Sequence, residues 1–133
     1  MEKRYNIDSL PFAIDNVAVV QDIEEAVDTL TIRKLPIVRF EFGTSMMPML
    51  KSGQFCKISP VENVNDINIG DALFCDVNGY VGTHMVWMKS QINPNETWFL
   101  IGTTRMELIG WTKTVYGIAT AIDHVVDEQK NEE

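Results

Sequence analysis

Ser45 and His84 are the two residues in this chain whose chemistry could work together. Ser45 stands in Gly43-Thr44-Ser45-Met46-Met47-Pro48-Met49-Leu50, and His84 in Thr83-His84-Met85-Val86. A serine hydroxyl is a poor nucleophile until a base takes its proton, and an imidazole that titrates near neutrality is suited to take it. The residues around Ser45 supply a sharp bend. Gly43 lets the backbone come close to a ligand, and Pro48 fixes φ and stops a helix from running through. Such a bend can present Oγ outward and leave the backbone amides of Ser45 and Met46 to hold an oxyanion. Both residues also have plain readings, Ser45 as a turn residue and His84 as a strand residue. Met46, Met47 and Met49 read either as core filler or as an adaptable substrate groove.

Other reactive side chains offer less. Cys56 and Cys75 each lie inside an apolar, strand-like run and read as two buried, reduced thiols. His84 and His124 are the only histidines, and no CxxC or HxxxH spacing occurs, so neither a metal nor a cofactor is expected.

The elements that must position Ser45 and His84 are mostly strands. Val20, Ile23, Val27 and Leu30 recur at helical spacing with Asp22, Glu24, Glu25 and Asp28 between them, which predicts one short amphipathic helix over about 20–31. Residues 16–20 are ambiguous between a strand and the start of that helix. After Pro36 the pattern changes. Residues 37–42 alternate with period two, and 55–58, 72–77, 80–89, 98–101 and 115–119 are further β-branched or aromatic runs. Asn78-Gly79 is a strong hairpin turn signal, and Asn93-Pro94-Asn95 a second turn. The expected fold class is mainly β, a rolled sheet or distorted barrel with a short N-terminal helix.

Composition bounds the rest. A chain of 133 residues, 45% hydrophobic and 23% charged, reads as one globular domain. Within it, residues 1–36 form an N-terminal segment with the helix, 37–122 the β core, and 123–133 an acidic tail. The 19 acidic against 11 basic residues give a net charge of −8, which disfavours binding to nucleic acid. There is neither an apolar run of about 18 residues nor an N-terminal apolar h-region, so the expectation is a soluble, cytoplasmic protein without membrane partners.

The order of the segments resembles the superfamily of signal peptidases and LexA-type self-cleaving repressors. That family shows a Gly-x-Ser-Met-x-Pro box, a short Gly-Asp strand, a second Gly-Asp-hydrophobic strand, a hairpin, and a base on the return strand. Here these are Gly43-Thr44-Ser45-Met46-Met47-Pro48, Lys51-Ser52-Gly53-Gln54-Phe55, Ile69-Gly70-Asp71-Ala72-Leu73-Phe74, Asn78-Gly79 and Thr83-His84-Met85-Val86. Phe99-Leu100-Ile101-Gly102 and Val115-Tyr116-Gly117-Ile118 continue the series, so the resemblance spans about 37–120. It most resembles small soluble bacterial and phage members.

The resemblance implies a LexA/signal-peptidase-like sheet and a serine peptidase acting on an extended peptide or protein. It puts Ser45 in the place of the nucleophile. His84 stands where bacterial signal peptidases carry lysine and the ER-type enzymes carry histidine. Gly43, Pro48, Gly70 and Asp71 fall on turn positions near the site, with Asp71 read as a turn cap. Three positions depart from the family. Thr103 stands where histidine-type members carry the Asp that orients the ring, Met85 replaces a common Arg, and Gln54 replaces the first Asp. Thr103 or the nearby Glu107 is left to orient or assist His84. Residues 1–40 contain no glycine, which disfavours the cis cleavage of the repressors. The alternative is a catalytically impaired module on the same fold that binds peptide or protein, with self-association as a homodimer. Gly110-Trp111 is expected to pack under the last strand, with an indole in a binding groove as the other reading.

Overall fold

A computed structural model describes residues 17–41 and 54–121. Ser45, Met46, Met47, Met49, Gly43, Pro48, His124 and the acidic tail lie outside the described residues. The elements run β1 (Ala18–Val19), α1 (Ile23–Thr31), β2 (Ile37–Glu41), β3 (Gln54–Pro60), β4 (Ala72–Val77), β5 (Tyr80–Asn93), β6 (Glu96–Gly102), β7 (Leu108–Thr112) and β8 (Val115–Ala121). Among the described residues the fold is mainly β: eight strands in one sheet, ordered β1-β2-β3-β8-β4-β5-β6-β7, with one α-helix. All pairings are antiparallel except that of β1 on β2.

Local chemistry accounts for the elements. Asp22 caps α1, its carboxylate accepting from the Glu25 amide at 2.9 Å, and Glu24 and Glu25 favour the positive end of the helix dipole. The helix buries Ala26, Thr29 and Leu30 and leaves its acidic face to solvent. At the β4–β5 hairpin, Asn78 and Gly79 both take positive φ, 55° and 89°, as a two-residue turn between right-twisted strands requires. Asp76 secures that turn by accepting from the Gly79 amide at 3.0 Å.

The sheet has an apolar cluster on each face, because successive residues of a strand point to opposite sides. Ala72 and Phe74 of β4 join Ile37, Cys56, Ile58 and Ala119 beneath α1, where Ala26 and Leu30 close the cluster. Leu73, Cys75 and Val77 of β4 join Val86, Phe99, Ile101 and Ile67 on the other face. Among the described residues no α-helix covers this second cluster; Ile67 of the β3–β4 connection belongs to it, and Val61 and Val64, the latter in a short 3-10 turn over Val64–Asp66, pack against it. β7 folds back on β4: the Thr112 hydroxyl donates to the Asp76 carbonyl, the Asp76 amide donates to Thr114 at 3.0 Å, and Asn78 Nδ2 donates to Ile109 at 3.3 Å. The half from β4 to β7 is thus a roll around its own core.

Three features were not foreseen in the sequence. β7 was absent from the expected strands, and β5 continues beyond Lys89 to Asn93. The N-terminal segment also enters the main core, since Val20, Ala26 and Leu30 belong to the cluster of β2 and β3.

Candidate functional site

His84 sits on β5 directly opposite Leu73 of β4, while Gly82 lies opposite Cys75. Directly opposed residues share a face, so His84 lies on the side of the sheet that carries the second cluster. Two residues further along β5, at Val86, the strand is held by the turn that precedes β4. The Gly70 amide donates to the Val86 carbonyl at 2.8 Å, and the Val86 amide donates to the Asp71 carbonyl at 3.0 Å. Gly70 has φ of 96°, which allows the sharp turn into β4. The Asp71 carboxylate accepts from the Asn68 amide at 2.7 Å, which is the turn-capping role that its position suggested.

The imidazole is half-buried, and its Nδ1 is enclosed without a hydrogen-bond partner. Burial lowers the His84 pKa below the ordinary histidine value, so the neutral ring is favoured. A buried polar atom without a partner is uncommon and costs stability, which makes the ring a candidate for function.

Thr103 and Glu107, the two residues left to orient the ring, do not bond Nδ1. β6 ends at Gly102, opposite Met85, and Thr103 is the first residue of the turn beyond it. The Thr103 side chain is committed elsewhere. Its Oγ1 accepts from the amides of Arg105 at 3.1 Å and Glu107 at 3.2 Å, which ties the turn between β6 and β7. Its carbonyl accepts from Trp87 Nε1 at 3.0 Å. Glu107 is exposed and takes part through its backbone, its carbonyl receiving the Thr103 amide at 2.8 Å. The Thr103 side chain therefore serves the turn rather than the imidazole.

The thiols behave as expected. Cys56 and Cys75 are fully buried, and neither is in a disulfide. Burial, reinforced by the adjacent Asp76 charge, pushes the Cys75 thiol up to about 12, so it is not a nucleophile at neutral pH. Among the described residues no three His, Cys, Asp or Glu side chains come together as a metal-binding group, and no helix is long and apolar enough to cross a membrane.

Trp111 differs from its expected place. It is 43% exposed rather than packed under the last strand. β7 pairs with β6 through Leu100–Trp111, which sets the indole on the outer face of the roll. There it lines a cavity of about 230 Å³ with Ser90, Ile92 and Trp98. Trp98 is already engaged: its Nε1 donates to Glu96 at 2.7 Å, and the Lys113 ammonium lies 5.6 Å from its ring centre.

Gly82 is a residue that reasoning from sequence passed over. A Cβ placed there would lie 3.3 Å from His84 Nε2. A glycine inside a strand, two residues before a histidine, is the signal that marks it. Compared with known proteins, the chain matches no family model, no curated protein and no solved structure.

Proposed function

We propose that this protein is a serine hydrolase of the peptidase type on a LexA/signal-peptidase-like sheet, with Ser45 as nucleophile and His84 as general base. The supporting observation is the state of His84: a half-buried imidazole whose neutral form is favoured, with one nitrogen enclosed and unpartnered on the Leu73 side of the sheet. A base must be unprotonated to accept a proton, and this ring meets that condition at neutral pH. In the proposed reaction Ser45 Oγ attacks the carbonyl carbon of an extended peptide as its proton passes to His84 Nε2. The amides of Ser45 and Met46 hold the oxyanion. The imidazolium then returns the proton to the leaving amine, and water attacks the acyl-enzyme by the same route.

The reading makes a demand on shape. Four strand steps separate β2 from β5 in the sheet order. Across a flat sheet that is about 19 Å, at about 4.8 Å per step. Ser45 follows Glu41 by four residues, a reach of at most about 14 Å of extended chain. The registers also set His84 level with the residue before Ile37, five residues short of Glu41, a further offset of about 16 Å along the strands. A Ser45–His84 pair therefore requires the sheet to curve toward the face that carries His84 and the chain after Glu41 to turn back along it.

A second reading has an observation of its own. Without a carboxylate on Nδ1 a histidine base loses control of its tautomer and stabilisation of its charge, a loss as large as ~10⁴ in rate. Nδ1 has no such partner here. That favours a catalytically impaired module which binds extended peptide or protein on the same sheet.

A fluorophosphonate separates the two readings. The hydrolase is expected to be labelled at Ser45, with labelling lost in Ser45→Ala and in His84→Ala. Labelling that persists in His84→Ala removes His84 from the role of base. A wild-type chain left unlabelled contradicts the hydrolase and leaves the binding module.

A further inference from the structure

Gly82 lies in the interior of β5, where glycine weakens a strand because it has no side chain to pack and loses the most freedom on folding. Its backbone does not need glycine: positive φ is confined to Gly70, Gly79 and Gly110 among the described glycines. What the missing side chain provides is space. A Cβ on Gly82 would meet His84 Nε2 at 3.3 Å and Cδ2 at 3.9 Å, and, its chain neighbours aside, no other atom of the described residues within 4 Å. The first of these contacts is tighter than ordinary van der Waals separation, so the ring would have to move. Its freedom to retreat is limited, because the opposite nitrogen, Nδ1, is enclosed.

We infer that Gly82 is a positioning residue for His84, keeping clear the space beside Nε2 so that the imidazole lies along β5 with Nδ1 inward and Nε2 on the Gly82 side. This deepens the reading of His84 as the base, since it assigns Nε2 as the nitrogen that works, and it rests on that reading for its function. Substitution at Gly82 displaces the nitrogen that would take the Ser45 proton.

The test reads the ring itself, so that its failure is distinct from failure of the hydrolase. In Gly82→Ala the imidazole resonances of His84 are expected to shift. The rate of His84 carbethoxylation by diethyl pyrocarbonate is expected to fall several-fold, with His124 as the internal reference. Unchanged His84 resonances and rate in a folded Gly82→Ala protein overturn the inference, as does an equal change at both histidines. Thermal unfolding of a double-mutant cycle supplies a second measurement. Gly82→Ala is expected to raise the melting temperature more in the His84→Ala background than in the wild-type chain, because the ring it would press on is gone. Equal shifts in the two backgrounds overturn the inference. If Gly82→Ala alone does not fold, recovery of folding in the His84→Ala background supports the inference, and failure there too overturns it.

Discussion

The two apolar clusters of the sheet are closed in different ways. Beneath α1, residues such as Ile37, Ile58 and Phe74 are covered by a separate element that brings Ala26 and Leu30. On the other face Leu73, Cys75, Val86, Phe99 and Ile101 pack against one another within the roll, with Ile67, Val64 and Val61 of the β3–β4 connection against them. A helix can shift on a sheet and leave the strands as they are. A roll cannot loosen without changing strand geometry, and His84 stands on one of its strands, opposite Leu73. The environment of His84 should therefore depend on the second cluster and be nearly indifferent to the first.

Large-to-small substitutions break that comparison most strongly. Phe99→Ala, at a fully buried position, is expected to lower stability by about 3–5 kcal/mol, and Leu30→Ala by about 2–4 kcal/mol, measured by urea unfolding. The distinguishing readout is the His84 resonances, which should shift in Phe99→Ala and stay in place in Leu30→Ala. Equal shifts in both would show that the two clusters are one unit. Asp22→Ala, which removes the cap of α1, is the smaller lesion on the helix side, expected to cost about 1 kcal/mol in the same unfolding measurement.

On the roll side, Thr103→Asp sharpens the comparison. A carboxylate one residue past the Met85–Gly102 pair should raise the His84 pKa, read by NMR titration, and increase the rate of fluorophosphonate labelling at Ser45. If the aspartate instead takes over the Arg105 and Glu107 amides that Thr103 now serves, the His84 pKa will not move.

The smallest effect is that of pH. Because burial lowers the His84 pKa in the fold, the unfolded chain binds the proton more readily. The stability this brings is present above the unfolded value near 6.5 and is lost as pH falls through the lower folded value. Urea unfolding between pH 7 and pH 5 should show that loss in the wild-type chain, and a shallower dependence in His84→Gln.

Much of the fold was legible in the residues. β4 has the expected bounds of Ala72–Val77, because an apolar run ending in Asn-Gly leaves little freedom in register. The helix was legible from its spacing, and its start moved to Ile23 because Asp22 supplies the cap. β7 was missed because Leu108-Ile109-Gly110-Trp111-Thr112 has a central glycine and no clean alternation; its pairing with β6 and its closure onto Asp76 are tertiary. The extension of β5 was missed because Ser90, Gln91 and Asn93 are polar, and their strand state comes from the partner strand β6. At the site, the place of His84 on the return strand after Asn78-Gly79 could be read from order alone. The commitment of the Thr103 hydroxyl to its own turn could not, since it depends on how the chain comes back through Glu107.

The meeting of Ser45 and His84 can be measured directly. Cys56 and Cys75 are buried, so a Ser45→Cys chain offers one reactive thiol for a nitroxide label. The label should broaden the His84 imidazole resonances strongly, with reduction of the nitroxide restoring them. His84 resonances of equal intensity in the oxidised and reduced samples would place the two residues apart and contradict the pairing on which the proposed hydrolase rests.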